Sequence, residues 1–473
     1  MLFNSLMFLG FLSVVLLIYP RLQWRRQNMF LLVASYYFYG AWDWRFTSLL
    51  MVSTVVDYFV GQRLHLATDL RRRKLLLAAS VVVNLGILGF FKYFNFFVDS
   101  FGVLLGGAGF DPHMPVLRVI LPVGISFYTF QTMSYTIDIY RKRLEPTLNF
   151  IDFALFVSFF PQLVAGPIER ARVLLPQISQ PRSVTRSMVI SGLNLILMGY
   201  LKKVAIADTL APLVDEIFTQ PAGLDTGTLL TGAYAFAFQV YGDFSGYTDI
   251  ARGVSRLLGF ELLENFNAPY LSRSITEFWQ RWHISLSSWL RDYLYISLGG
   301  NRKGEFRTYV HLFLTMLLAG LWHGAAWTFV AFGALHGIYL TIERIWFKDT
   351  IPAKSWPSAW SGRLMGVGAI LLTFHLHCIT LILFRSPSLA SAWVYLKGIA
   401  RMETPGNIQI PVIFAMITLT VWDVVQVRKG THTWLLDLPR PVRFIVVQSV
   451  LVSVLIAAVH HVNTVVPFIY FQF

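Results

Sequence analysis

The chain is poor in charge. Of 473 residues only 14% are Asp, Glu, Lys or Arg, against roughly 25% in a soluble domain, so water is not the main solvent of this fold. Cysteine is nearly absent too. The single Cys378 excludes an intrachain disulfide and a thiolate metal cluster, and no metal site or bound cofactor is expected. No run of residues reads as a nucleotide-binding loop, an internal repeat or a low-complexity linker.

What is present is apolar: 55% of residues are hydrophobic, 16% aromatic, and the mean hydropathy is +0.57. Long apolar stretches recur from end to end, which describes a single all-α polytopic membrane unit over residues 1–473 rather than two or three soluble domains. The first segment, Leu2 to Pro20, has no basic region before it and no small-residue cleavage site. It is expected to be a retained first span.

The net charge of +14 sits in short clusters between apolar segments: Arg21, Arg25 and Arg26; Arg71 to Lys74; Arg141 to Arg143; Lys202 and Lys203; Arg302, Lys303 and Arg307; Arg428 and Lys429. Such clusters mark cytoplasmic loops, so the partner they imply is a lipid bilayer and not nucleic acid. Placing them inside puts the N-terminus outside, with spans near 28–41, 46–61 and 75–98 and an outer Gly-rich loop from Gly102 to Pro115. Residues 150–180 carry Pro161, Gly166, Pro167 and Pro176 and are expected to enter the membrane and turn back, since Pro removes a helix hydrogen bond and irregular backbone survives there only when buried. Further spans are expected near 187–207, 228–250, 309–345 (one or two), 364–384, 408–427 and 443–462.

Three constellations carry candidate chemistry. In the first, Gly320-Leu-Trp322-His323-Gly324, the histidine lies about 24 Å beyond Arg307 along a continuous helix, well inside a hydrocarbon core roughly 30 Å thick. An ionisable group there faces protein or a water-filled cavity, and an imidazole can take and return a proton at neutral pH. A neutral histidine bonded across helices is the alternative. Gly320 and Gly324 form a GxxxG step suited to close helix contact.

In the second constellation, Ser274-Ile-Thr-Glu277 has the form of a capping box, and Phe278, Trp282, Trp289 and Tyr293 recur at helical spacing on one face. Arg281, His283, Ser285, Arg291 and Asp292 make this helix too polar to cross lipid alone, so it reads as amphipathic or re-entrant. Arg281 and Arg291 could attract the phosphates of a cytoplasmic donor or serve as snorkelling anchors. The third runs from Gln239 to Arg252 and contains Asp243, Ser245 and Asp249. Asp249 and Arg252 are spaced to pair on one helix face. Arg281, Trp282, Arg291, Trp322, Asp243 and Ser245 together form the candidate substrate- and donor-binding set.

In order and spacing, Tyr241 to Asp249, Phe278 to Tyr293 and Trp322-His323-Gly324 resemble the membrane-bound O-acyltransferases. The likeness is closest to the bacterial branch acting on alginate and teichoic acid, and it covers roughly residues 120–345. It implies about eleven membrane helices plus re-entrant helices around a central tunnel, in a bacterial inner membrane. By motif position His323 matches the near-invariant histidine of the family and His283 its second polar residue, where many eukaryotic members carry Asn or Asp. The donor would be a thioester, either acetyl-CoA or an acylated carrier protein, and the activity O-acetylation of an exopolysaccharide such as alginate. A periplasmic or membrane-anchored O-acetyltransferase partner would complete the transfer.

The segment Pro467-Phe-Ile-Tyr470-Phe-Gln-Phe473 should lie at the outer face. It is similar to the aromatic ending of a small companion protein of the D-alanylation system, whose tyrosine is taken to carry the acyl group. Tyr470 is therefore a candidate catalytic relay beside His323 and His283, with an interfacial aromatic anchor as the alternative. Two other functions fit the same segments: a transporter of polysaccharide precursor or acyl donor without chemistry, and a family member that acylates lipid or protein. The missing internal repeat counts against the transporter.

Overall fold

The computed structural model describes residues 1–110, 117, 120–347, 360–403, 409–461 and 466–471. Every element among them is helical. Among the described residues five helices are long and apolar enough to cross a membrane: Leu70–Gly107, Arg186–Thr219, Leu364–Arg385, Ile410–Lys429 and Arg440–His460. The chain forms two compact units, one of Met1–Val189 with Val254–Leu263, the other of Ile190–Gly253 with Glu264–Phe473.

In the first unit, Leu6–Ile18, Trp24–Asp43, Thr47–Leu66, Leu70–Leu88 and Ile125–Tyr140 follow the expected order of spans. Lipid supplies no hydrophobic drive between helices, so small and polar side chains bind them together. Here a buried seam does so: Ser80 Oγ and Asn84 Nδ2 donate to the Asp57 carboxylate at 2.6 and 2.8 Å, and Ser53 and Thr132 donate to Asn84 Oδ1 at 2.6 and 3.1 Å. The expected loop from Gly102 is corrected. Gly102, Gly106 and Gly107 lie inside the Phe94–Gly107 helix, because glycines flanking Val103-Leu104-Leu105 are tolerated in an apolar helix. Helix ends only beyond Gly107, and Gly109 takes φ +87°. Positions 111–115 of that loop lie outside the described residues.

Residues 150–180 are broken as expected, into Phe150–Ser158, Phe160–Leu163 and Ala171–Ile178. Pro161 lies in the first turn of the middle piece. A Cβ on Gly166 would collide with the Gln162 backbone, so the chain folds back on itself there. The non-helical residues 164–170 are buried throughout, which satisfies the condition for non-helical backbone in an apolar setting.

The second unit is organised by close helix approach. A Cβ on Gly199 would stand 2.6 Å from the Gly246 carbonyl, and one on Gly246 2.7 Å from that of Gly199. Only paired glycines let these backbones touch. The contact locks Arg186–Thr219 against Thr226–Leu257 and corrects one reading of the charge pattern. Lys202 and Lys203 are not loop residues but buried mid-helix cations, paired to Asp249 at 2.7 Å and to Asp208 and Asp243 at 2.8 Å each.

Candidate active site

Local sequence sets up the break that carries His283. Ser274 caps Ile275–Arg281, its Oγ accepting from Glu277 N at 3.1 Å. Glu277 reaches back to Arg273 N at 2.8 Å. The single amphipathic helix read from Phe278, Trp282, Trp289 and Tyr293 is corrected: it ends at Arg281 and restarts at Ile284. The segment around Asn265 explains the break. Asn265 O accepts from Ile284 N at 2.9 Å, Asn265 Oδ1 from Ser285 N at 3.2 Å, and Asn267 N donates to Arg281 O at 2.9 Å. These bonds take over backbone groups at the junction. His283 sits between the two pieces in the left-handed region, φ +43° and ψ +54°, a conformation that costs an ordinary residue roughly 1–2 kcal/mol. Strain of this kind collects where a side chain must point in one particular direction.

His323 is the last residue of Glu305–His323. The helix from Arg307 is continuous, as expected, but the GxxxG step is not one helix face. Gly324 lies beyond the helix end against the Phe329 ring, and the close approach is between Gly320 and Gly333 of the Trp327–Phe347 helix. This hairpin turns the chain directly after His323 and packs its imidazole against Phe332 and Phe384, with ring centres 5.7 and 5.3 Å away.

Tyr470 joins the two histidines. Its ring centre is 5.6 Å from His323, 6.4 Å from His283 and 6.3 Å from Trp322. Trp322 bridges the imidazoles at 5.6 Å from His283 and 5.1 Å from His323. Phe244, on the Thr226–Leu257 helix, lies 4.7 Å from both His283 and Tyr470. His283 is 0% exposed, His323 4%, and Tyr470 is half-buried. Two imidazoles, one phenol and an apolar cage therefore share one place. Such a cage excludes water, which strengthens electrostatic interactions inside it and suppresses hydrolysis of a reactive ester.

The structure separates the rest of the expected set. Trp282 is buried among Tyr241, Phe266, Tyr270 and Phe278. Arg281 pairs with Glu277 at 2.8 Å, and the exposed Arg291 pairs with Asp292 at 2.8 Å. Ser245 is buried. Asp243 is engaged by Lys203 and by the Ile469 amide, at 2.7 Å. Asp249 lies 3.8 Å from Arg252 but binds Lys202 more closely. Arg252 also pairs with Glu264 at 2.9 Å, on whose other oxygen His432 stands at 3.2 Å. Burial raises the Glu264 carboxyl, but the bonds and charges of His432 and Arg252 outweigh it and hold the group at about 2. Gln472 and Phe473 of the aromatic segment lie outside the described residues.

Sequence reasoning missed Phe244, Phe332 and Phe384 as the cage and Lys203 as a partner of Asp243. It also missed a second buried pair, His336 and His377, whose ring centres are 5.8 Å apart and which pack against Phe278. One signal was available: Asp208, Asp243 and Asp249 in apolar surroundings require buried cations, and Lys202 and Lys203 are the nearest in sequence to Asp208.

The histidine-bearing segments coincide with a known pattern. The sequence model of MBOAT, the membrane-bound O-acyltransferase family, matches residues 117–386, more than half of the chain and inclusive of His283 and His323. The chain belongs to this family. Among its relatives, "Probable alginate O-acetylase AlgI" of Azotobacter vinelandii is 46% identical over 397 residues, 83% of this chain and 77% of that protein. The protein of the same name in Pseudomonas aeruginosa is also 46% identical over 397 residues, covering 83% and 74%. The peptidoglycan O-acetyltransferase of Helicobacter pylori is 35% identical over 435 residues, covering 85% and 80%. This member of the membrane-bound O-acyltransferases is thus a multi-pass membrane acyltransferase. Tyr470 lies beyond the residues matched by the family model.

Proposed function

We propose that the protein O-acetylates an exopolysaccharide of the alginate type by way of a tyrosyl ester. The observation that carries this reading is the convergence of His323, His283 and Tyr470, distant in sequence, inside one apolar cage. His323 acts as general base. It takes the Tyr470 hydroxyl proton while the phenolic oxygen attacks the thioester carbonyl, so that the O–C bond forms, the C–S bond breaks and the imidazolium returns the proton to the leaving thiolate. His283, held by its strained backbone, orients the reacting groups from the other side. In the second half an acceptor hydroxyl attacks the ester, and Tyr470 regains its proton.

The donor is a cytoplasmic thioester, acetyl-CoA or an acylated carrier protein, and the aromatic segment faces outside together with the N-terminus. A partner anchored in or beyond the membrane carries the acetyl group to the polymer. The acceptor assignment follows the names of the two alginate relatives; the relay follows from Tyr470.

The test is protein in lipid nanodiscs given radiolabelled acetyl-CoA, quenched and digested, with the 466–473 peptide examined for an acetyl ester. Tyr470→Phe keeps the ring and removes only the hydroxyl. Label on the parent peptide, and neither label nor polymer acetylation in the variant, supports the relay. A variant that acetylates polymer as fast as the parent refutes it and leaves direct attack by the acceptor hydroxyl on the thioester.

A further inference from the structure

Tyr470 belongs to a short turn, Ile469–Phe471, and its position depends on what holds that turn. The Thr226–Leu257 helix offers three groups to it within little more than one turn of helix. Tyr247 packs on Phe468 with ring centres 4.7 Å apart, and Phe244 meets Phe468 at 5.7 Å and Tyr470 at 4.7 Å. Between these rings the Asp243 carboxylate reaches the backbone itself, its Oδ2 accepting from Ile469 N at 2.7 Å. Its other oxygen is ion-paired at 2.8 Å with Lys203, which holds Asp208 at the same distance.

The chemistry of position 243 is specific. Its two oxygens face two donors, an ammonium and a peptide N–H, so both must be acceptors. A carboxylate meets that demand and an amide cannot. Lys203 is shared between two acids, while the Ile469 N–H is given to Asp243. Asp243 is 2% exposed and Ile469 1%. Withdrawing the turn would therefore leave a carboxylate oxygen without this donor in apolar surroundings, where unmet polar groups are costly. The anchored nitrogen is one residue from Tyr470, a Cα step of about 3.8 Å, and His323 is the next side chain beyond.

We propose that Asp243 is a positioning residue of the acyl-transfer site: with Lys203 and Asp208 it forms a buried latch that holds the Ile469 amide and sets where the Tyr470 hydroxyl stands against His323. This rests on the relay reading of Tyr470. The latch carries no reacting atom of its own. It acts through the tyrosine, and it explains why a buried acid pair shares one lysine at this depth.

Asp243→Asn keeps shape and volume but replaces one acceptor by a donor. Using full-length protein in nanodiscs and radiolabelled acetyl-CoA, kcat is expected to fall about 10- to 100-fold, since a displacement near 1 Å costs about that much. KM for acetyl-CoA should stay within about 3-fold, as for loss of an interaction realised only in the reacting complex. Deuterium exchange of the Ile469 amide should rise at least about 10-fold while residues 228–240 of the same helix keep their protection. Unchanged kcat, or an unchanged Ile469 amide, overturns the latch.

Should Asp243→Asn fail to fold, the same bond can be cut from the other side. Ile469→Pro removes the N–H, whereas Ile469→Ala removes the side chain and keeps it. A kcat at least about 10-fold lower in the proline variant than in the alanine variant supports the latch, and equal values overturn it. The relay has its own readout. If the parent peptide carries no ester the relay fails, and the amide exchange of Asp243→Asn still decides whether the latch exists.

Discussion

Replacing Gly320 by alanine should cut activity about 100-fold in a protein that still folds. An added Cβ would stand 2.9 Å from both Gly333 Cα and Gly333 N, and closer still to the Phe329 carbonyl oxygen. These are backbone atoms, so no rotamer change relieves the clash. Reaching an ordinary contact of about 3.5–4 Å requires the Glu305–His323 and Trp327–Phe347 helices to part by about 1 Å. Overpacking of one methyl costs about 1–3 kcal/mol, which the molecule can survive. His323 lies one helical turn further on and moves with the displaced helix. A misplacement of about 1 Å at a reacting centre costs about 100-fold in rate, equivalent to about 2.7 kcal/mol of barrier. Gly368→Ala is the control, since a Cβ there meets nothing within 4 Å, and the change should stabilise by about 0.5–1 kcal/mol through helix propensity. Thermal unfolding in nanodiscs and acetyl transfer measured on the same samples separate the two effects. Parental turnover in the Gly320 variant would refute the claim that the hairpin fixes His323.

His323→Ala should abolish acetyl transfer while the protein still folds and inserts, which chemical labelling of ester and polymer checks directly. His283→Gly and His283→Ala both remove the imidazole and should lose activity equally, yet the glycine variant should be about 1 kcal/mol more stable because it accepts the left-handed backbone. Refolding yield or thermal midpoint decides that ordering. Glu264, held at about 2 from an ordinary value near 4.5, binds protons less readily when folded than when unfolded, so its stabilising contribution is complete above the ordinary value and withdraws as pH falls through about 2. Glu264→Gln should flatten the acid limb of a stability curve between about pH 4.5 and pH 2, the interval between the unfolded and folded values, and an unaltered limb would show that Glu264 does not shape it. Ser274→Ala deletes the cap of the helix before His283 and should destabilise by about 1 kcal/mol.

His323, His283 and Tyr470, which the structure brings into one cage, stand out in the sequence by residue type and order, because a histidine in an apolar span and an aromatic segment with one hydroxyl are conspicuous against lipid-like sequence. Their supports do not. Adjacent lysines at 202 and 203 look the same whether they face cytoplasm or the distant Asp243 and Asp249, and only the glycine contact at Gly199 and Gly246 brings those two aspartates near. Aromatic periodicity from Phe278 to Tyr293 hid a helix break, since the cause lies in Asn265 and Asn267, outside the periodic window. The polar seam around Asp57 escaped for a related reason. Single Ser, Asn and Asp residues in separate spans carry no local signature of their meeting.

Two lysines inside an apolar helix have a consequence for how the chain enters the bilayer. At a helix centre each costs about 2.5–3.5 kcal/mol to insert, together about as much as ten or more leucines return. Two of their counter-ions, Asp243 and Asp249, are made later, on the helix that follows. The Arg186–Thr219 segment is thus a poor passenger alone and a good one in company. It should linger at the insertion machinery until Thr226–Leu257 emerges, and the two should leave it as a neutralised hairpin, so that the charges that organise the finished site also time its assembly.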